Sequence, residues 1–267
     1  MTRCLVVAIL MAAIAIGAQT QSPGQAAYEK ANALFGAQRF QECMNAIDEA
    51  LRLDPKLVPA LTLKAKLAMG ARRYDVARES LERALAADPS SAYAQFLYGF
   101  QFYEQNQMPA AIAALAKARQ LNPRDSRATL YLGLARESQG DTKAALTLYD
   151  EAIRLEDAAR KPQASTLLTC FRLHLVLGQL DQATPLIDRA LKLEPASRDV
   201  HFQSARLRMK KGDSAGAARE GEAALKLSAG DATDRQIHFL LVQAYRMMDN
   251  DTDAARHATA IRDADGK

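Results

Sequence analysis

The 267-residue chain has no tryptophan, and it holds only 13 glycines and 9 prolines. So few turn formers leave little room for a β-sandwich or a barrel, which need a turn every few residues. Charge of one sign is also lacking: the net charge is +4, too mild a balance to point to nucleic acid. With 49% apolar and 25% charged residues, intrinsic disorder and collagen-like composition are excluded. The sequence contains no glycine-rich phosphate loop, paired-carboxylate site or H-E-x-x-H pattern. Nothing therefore supports an enzyme, and no cofactor or metal is expected. What is abundant is alanine and other helix formers, the composition of an all-α chain.

Cysteine is scarce, and there is a single long apolar run. The run, Leu5 to Ala18, is 14 residues, short of the ~20 that a membrane-spanning helix needs. It follows Arg3 and ends in Gly17-Ala18 before polar Gln19, the pattern of a secretory signal peptide cut after Ala18. Export is expected, to the periplasm or the medium, with no stable membrane insertion afterwards. Cys4 precedes the run, whereas a lipid-anchor cysteine would close it. Cys43 and Cys170 lie 127 residues apart within helical apolar patterns, with no metal-like spacing to a histidine. Both are expected as core thiols without a disulfide.

An internal period organises the rest. Pro55, Pro89 and Pro123 are 34 residues apart, and Pro195 follows after two periods and four extra residues. The phrases ALRLDP, ALAADP, ARQLNP and ALKLEP end at these prolines, while AIRLED and ALKLSA fill the missing beats. With the proline at position 32, repeats begin near Gly24, Val58, Ala92, Ser126, Ala164 and Arg198, and a degenerate seventh begins near Arg235. Position 8 is small at Ala31, Ala65, Gly99, Gly133 and Ala205. Position 20 is small at Cys43, Ala77, Ala111, Ala145, Ala183, Ala217 and Ala254, and position 24 is large at Ile47, Leu81, Leu115, Tyr149 and Ile187. Small residues let facing helices approach, and the large residue four places on fills the space beside them. Gly140-Asp141, Gly178-Gln179 and Gly212-Asp213 mark turns within helix pairs. Ser22-Pro23-Gly24-Gln25 predicts a helix start, with Ser22 as cap and Gln25 reaching back.

The pattern resembles the tetratricopeptide repeat, over nearly the whole chain beyond Ala18. The resemblance implies an all-α, right-handed superhelical solenoid of about seven antiparallel helix pairs. Repeats 1–4 would occupy residues 19–156, an insertion and candidate hinge residues 157–163, and repeats 5–7 residues 164–264, ending in a capping helix. Phe171 stands at the small position 8 of the fifth repeat, which implies a splayed pair or a shifted register.

Three patterns imitate chemical sites. Gly212 to Gly216 spells G-x-S-x-G, but a helical segment precedes it where a nucleophile elbow needs a strand. Asp249 to Asp253 opens like a calcium loop, yet Ala254 and Ala260 stand where Gly and Glu are required. His201 and His238 share a column of adjacent repeats, where packing outweighs a shared metal ion.

In the family the first helices of the repeats line a concave groove. The resemblance therefore implies a binding surface made of Tyr93, Phe96, Leu97, Phe100 and Tyr103, then Leu130, Tyr131 and Leu134, and finally Arg172, Arg206, Lys210 and Arg246. A greasy middle gives way to a basic end. In the stretch AYAQFLYGFQFY, Tyr98 and Phe102 should face the array, and Tyr93, Phe96, Phe100 and Tyr103 the open side. The opposing reading has facing repeats cover these rings as ordinary core. The expected groove is centred on Phe96, Phe100 and Tyr131, with Arg172 and Arg206 attracting acidic groups. Of the family's carboxylate-clamp residues only Asn32 is present, so a chaperone-tail receptor is not expected. The implied function is a non-enzymatic scaffold of the bacterial cell envelope that binds an extended protein segment, peptide or partner helix in its groove. The alternative is a permanent subunit of a larger envelope complex, assembled through its convex face or edges.

Overall fold

The computed structural model describes residues 22–265, and side chains to residue 263. Cys4, the Leu5–Ala18 run and the expected cleavage site lie outside them. Among the described residues there are fourteen helices, no strand, and no helix long and apolar enough to cross a membrane.

The helices form seven pairs. They are α1 (Pro23–Gly36) with α2 (Phe40–Leu53), α3 (Val58–Gly70) with α4 (Tyr74–Ala87), and α5 (Ala92–Glu104) with α6 (Met108–Leu121). Then follow α7 (Ser126–Ser138) with α8 (Thr142–Ala158), α9 (Ala164–Val176) with α10 (Leu180–Leu193), α11 (Arg198–Lys210) with α12 (Ser214–Leu225), and α13 (Asp234–Arg246) with α14 (Asp251–Asp265). The described residues divide into two compact units, 22–122 and 123–265. Within each, the second helix of a pair packs on the first helix of the next; first helices also touch from α1 to α3 to α5 and from α9 to α11 to α13.

The small columns explain the close pairing. Ala31, Ala65, Cys43, Ala77, Ala145 and Ala217 are fully buried. A Cβ built on Gly99 would stand 2.7 Å from Leu115 Cγ, and one on Gly133 would stand 2.6 Å from Tyr149 Cε1. Both distances are shorter than packed carbon atoms allow, so only glycine fits against these large neighbours. Phe171 breaks the column without breaking the fold. It is fully buried in one cluster with Tyr149, Ala183 and Ile187. The expected register shift is corrected: α9 begins at the first repeat position and pairs with α10 as other pairs do.

Turns within pairs use the left-handed region at one repeat position. Gly140, Gly178 and Gly212 have φ of 78°, 73° and 78°, whereas Gln38, Arg72, Asn106 and Asp249 take 58°, 57°, 59° and 54° there. Between repeats, the aspartate before proline folds back: Asp54 Oδ1 accepts from the Lys56 N–H at 3.0 Å, and Asp88 Oδ1 from the Ser90 N–H at 2.9 Å. At the front, Ser22 accepts from the Gln25 N–H at 3.2 Å, as expected of a cap, but the Gln25 side chain donates to Glu29 and does not reach back.

The insertion is absorbed in two steps. Helix α8 runs 17 residues where α2, α4 and α6 run 14, and Arg160 then turns the chain at φ 55°. Glu156 is buried, and its carboxylate accepts from the Gln163 N–H (3.1 Å) and the Thr166 hydroxyl (2.7 Å). Burial holds this carboxyl above its ordinary range despite those bonds. Arg189 adds an ion pair to Asp157 at 2.7 Å. Residues 157–163 thus lie tied within the second unit, and the boundary between units falls at Asn122–Pro123.

The last helix, expected as a cap, has a partly apolar outer face. At the columns where Leu115, Ala118, Ile187 and Ala190 are buried, α14 presents half-exposed Ala258 and Ile261 beside exposed Ala255. That is an apolar stacking face, whereas a cap needs a polar one.

Candidate functional site

Helix α5 carries the aromatic stretch. Tyr98 and Phe102 meet at 4.6 Å with their rings inclined by 59°, on the side of α4. The Tyr98 hydroxyl donates to Glu82 at 3.2 Å, and the Arg78 guanidinium lies 5.6 Å from the Phe102 ring centre. Their inward placement follows the spacing of four. Tyr93, Phe96 and Phe100 stack in a ladder with ring centres 6.3 and 6.2 Å apart. Phe96 and Leu97 are buried, however, Phe100 and Tyr103 are half-buried, and Tyr93 is 37% exposed. The expectation of an open apolar face is corrected for Phe96 and Leu97, because side-by-side first helices sit too close for a ring between them to stay open.

In the second unit, half-buried Leu130 and Leu134 pack on the core around Tyr149 and Phe171, and Tyr131 is half-buried. The exposed Arg172 stands 3.9 Å from Glu137, whose carboxylate also accepts from the buried Tyr149 hydroxyl.

Three of the four cations of the expected basic end share one groove, and Arg172 is not among them. Arg206 and Lys210 of α11 and Arg246 of α13 line one groove of about 990 Å³ with Phe202, Met209 and Phe239. Residues three, four and seven apart on a helix share a face, so 202, 206 and 209 on α11 and 235, 239, 242 and 246 on α13 point the same way. Helix α14 closes the groove with Ala255, Ala258, Ile261 and Arg262. Its wall therefore holds five cationic side chains, Arg206, Lys210, Arg235, Arg246 and Arg262, and no carboxylate. Phe239 is 59% exposed, a large apolar group held in water among cations. Arg235, Ile261 and Arg262 were absent from the sequence-based surface. For the two on α14 the sequence signal is Ala255, Ala258 and Ile261 at intervals of three, one apolar helix face.

The two histidines of one column do not meet. The His201 ring bridges Glu220 (2.7 Å) and the Pro195 carbonyl (3.0 Å). His238 Nδ1 lies 2.8 Å from Nδ1 of buried His257, whose Nε2 is 3.0 Å from Glu222. Burial, then the neighbouring His257, hold His238 below its ordinary value. This chain of contacts ties α13 to its partner helix.

The imitating motifs resolve as helix starts. Ser214 opens α12, and Asp213 caps it by accepting from the Gly216 N–H at 2.8 Å. Asn250 Oδ1 likewise accepts from the Asp253 N–H at 3.2 Å. Cys43 and Cys170 are both buried free thiols.

The tetratricopeptide repeat pattern matches residues 62–109, 101–164 and 170–232. A tetratricopeptide repeat and J domain-containing co-chaperone, DNJ1 of Fusarium oxysporum f. sp. lycopersici, is 38% identical over 113 residues, 39% of this chain. The match spans 20% of that relative's length. Among solved structures, PilW, a widely conserved type IV pilus biogenesis factor, superposes with a TM-score of 0.68 at 21% identity over 76% of this chain and 92% of PilW. YrrB, a tetratricopeptide repeat protein with an unusual peptide-binding site, gives 0.52 at 19% identity over 72% of this chain and 94% of YrrB. At such identities the two structures share the fold alone. The repeat pattern covers more than half of the sequence, and the seven helix pairs follow its period: the chain belongs to the tetratricopeptide repeat family.

Proposed function

We propose that the chain is a non-enzymatic interaction scaffold whose last two repeats hold an acidic peptide or partner helix bearing apolar side chains. The observation that carries this reading is the groove of α11, α13 and α14, with an apolar floor, five cations and no carboxylate in its wall. Apolar side chains laid on Phe202, Met209 and Phe239 leave water, at about 25 cal/mol per Å². Arg206 and Arg246 supply planar forks for carboxylates. In the first unit Tyr93 with half-buried Phe100 and Tyr103 gives a smaller surface of the same kind, and Tyr131 with Leu130 and Leu134 another in the second. A setting in the bacterial envelope is supported by the Leu5–Ala18 run and by likeness in fold to the pilus biogenesis factor PilW.

Fluorescence anisotropy with a labelled helical peptide of Glu and Leu, and its Lys counterpart, tests the reading. The acidic peptide should bind and weaken with salt, and the basic one should not. Phe239→Ala and Arg246→Glu, both at exposed positions, should each weaken binding about tenfold or more. Equal binding of both peptides, or no effect of either substitution, defeats the proposal.

A second reading, a permanently assembled subunit, is favoured by the open stacking face of α14. If that face requires a cover, the isolated chain self-associates in light scattering and Ile261→Lys returns it to a monomer. A monomeric parent chain removes this reading.

A further inference from the structure

We propose that Asp150, Cys170 and His174 form a zinc-binding site where α8 meets α9. One ligand atom from each lies within 4.8 Å of the other two. Cys170 and His174 are four residues apart on α9, so both project from one face, and Asp150 comes from α8. From the sequence alone, no metal-like spacing is expected around Cys170. The C-x-x-x-H step on a helix is such a spacing, but its third ligand is supplied only by packing.

The sulfur-to-oxygen distance fits the ion. Cys170 Sγ is 3.8 Å from Asp150 Oδ1. A tetrahedral zinc with sulfur at ~2.3 Å and oxygen at ~2.0 Å places those two atoms ~3.5 Å apart. A sulfur, an imidazole nitrogen and one carboxylate favour a borderline-soft ion such as Zn²⁺ over Ca²⁺ or Mg²⁺. His174 Nδ1 lies 2.7 Å from Gln179 Oε1. When Nδ1 donates to that oxygen, Nε2 keeps its lone pair, and a fixed outer partner of this kind orients ligating histidines. Gln179 precedes α10, so the outer partner is held by a third helix.

Two aspartates and two arginines border the recess at the site: Arg189 pairs with Asp157, and Arg154 Nε donates to the Asp150 backbone carbonyl at 3.3 Å. No ion pair to the Asp150 carboxylate forms among the described residues; its side-chain contact is the Cys170 thiol. Burial, followed by the Asp150 charge, pushes that thiol up to about 12. A dication offsets both causes: the thiol passes its proton to solvent and the thiolate binds the metal. Asp150 is exposed and borders a recess of about 490 Å³, which gives the ion an entry path and leaves room for water as fourth ligand. The site would clamp α8 to α9 across the insertion that separates them.

Titration of the reduced, metal-stripped, untagged chain with Co²⁺ tests this. One equivalent should bring up a thiolate-to-cobalt band in the near ultraviolet and the visible bands of tetrahedral cobalt. One equivalent of Zn²⁺ should abolish both and raise the melting temperature. Cys170→Ser should lose the thiolate band. His174→Gln and Asp150→Asn should weaken zinc binding by about tenfold or more. Circular dichroism establishes that each variant is folded, and His174→Gln serves if Cys170→Ser is not. No thiolate band in the parent chain, or unchanged binding in the folded variants, overturns the proposal.

Discussion

The two units of the chain share one repeat and differ in how strictly they keep it. In the first unit the period of 34 runs unbroken, and its buried polar side chains, Thr62, Ser80, Gln95 and Gln101, are uncharged. The second unit departs from the period twice, and it is there that Glu156, Arg198 and His257 are buried. The association has a physical cause. A turn of Asp-Pro type satisfies its own backbone, as Asp54 and Asp88 show. Extra residues leave backbone groups in contact with the core, and these need partners. Glu156 serves the Gln163 N–H at the first departure. At the second, Arg198 donates to the carbonyls of Leu227 and Ala232, both at 2.7 Å, and pairs with Asp234. Asp199 completes that loop by accepting from the N–H groups of Asp231 (3.0 Å) and Ala232 (2.8 Å). A buried charge is costly alone, and here several hydrogen bonds offset the cost.

Removing one such tie gives the largest effect. Arg198→Ala leaves the buried Ala232 carbonyl and the half-buried Leu227 carbonyl without their charged donor and should cost about 3 kcal/mol. Hydrogen exchange should show the loss in residues 198–263, with protection in residues 22–122 unchanged. Equal loss in both regions would dissolve the contrast between the units.

A smaller effect should fall equally on both. Gly99→Ala and Gly133→Ala place a methyl group against Leu115 and Tyr149, one in each unit, and should each cost about 1–3 kcal/mol in urea unfolding. A neutral result at either site would mean that the small column is not enforced there.

The smallest effect separates the turns. The first unit places Gln38, Arg72 and Asn106 where the second mostly places glycine. Arg72→Gly should therefore be neutral or stabilising by up to about 1 kcal/mol, while Gly140→Ala should cost about 1 kcal/mol. Thermal melts of the two variants should shift in opposite directions or leave Arg72→Gly unmoved.

The sequence by itself determined the period, the bounds of the helix pairs, the small columns and the glycine turns. Each of these is local: helical spacing fixes which residues share a face, the size of residue 8 fixes how near a neighbour comes, and φ above zero selects glycine at a turn. First helices accordingly begin at Val58, Ala92, Ser126, Ala164 and Arg198, where the period sets them. Only the tertiary structure decided what covers each face. A helical wheel places Phe96 and Leu97 on one side of α5 but says nothing of whether the adjacent helix closes over them. The same limit hid the tie between Glu156 and Gln163, the open face of Ala255, Ala258 and Ile261, and the meeting of Asp150 with Cys170 and His174. All are contacts between separate segments, set by packing distances that spacing within one helix does not encode.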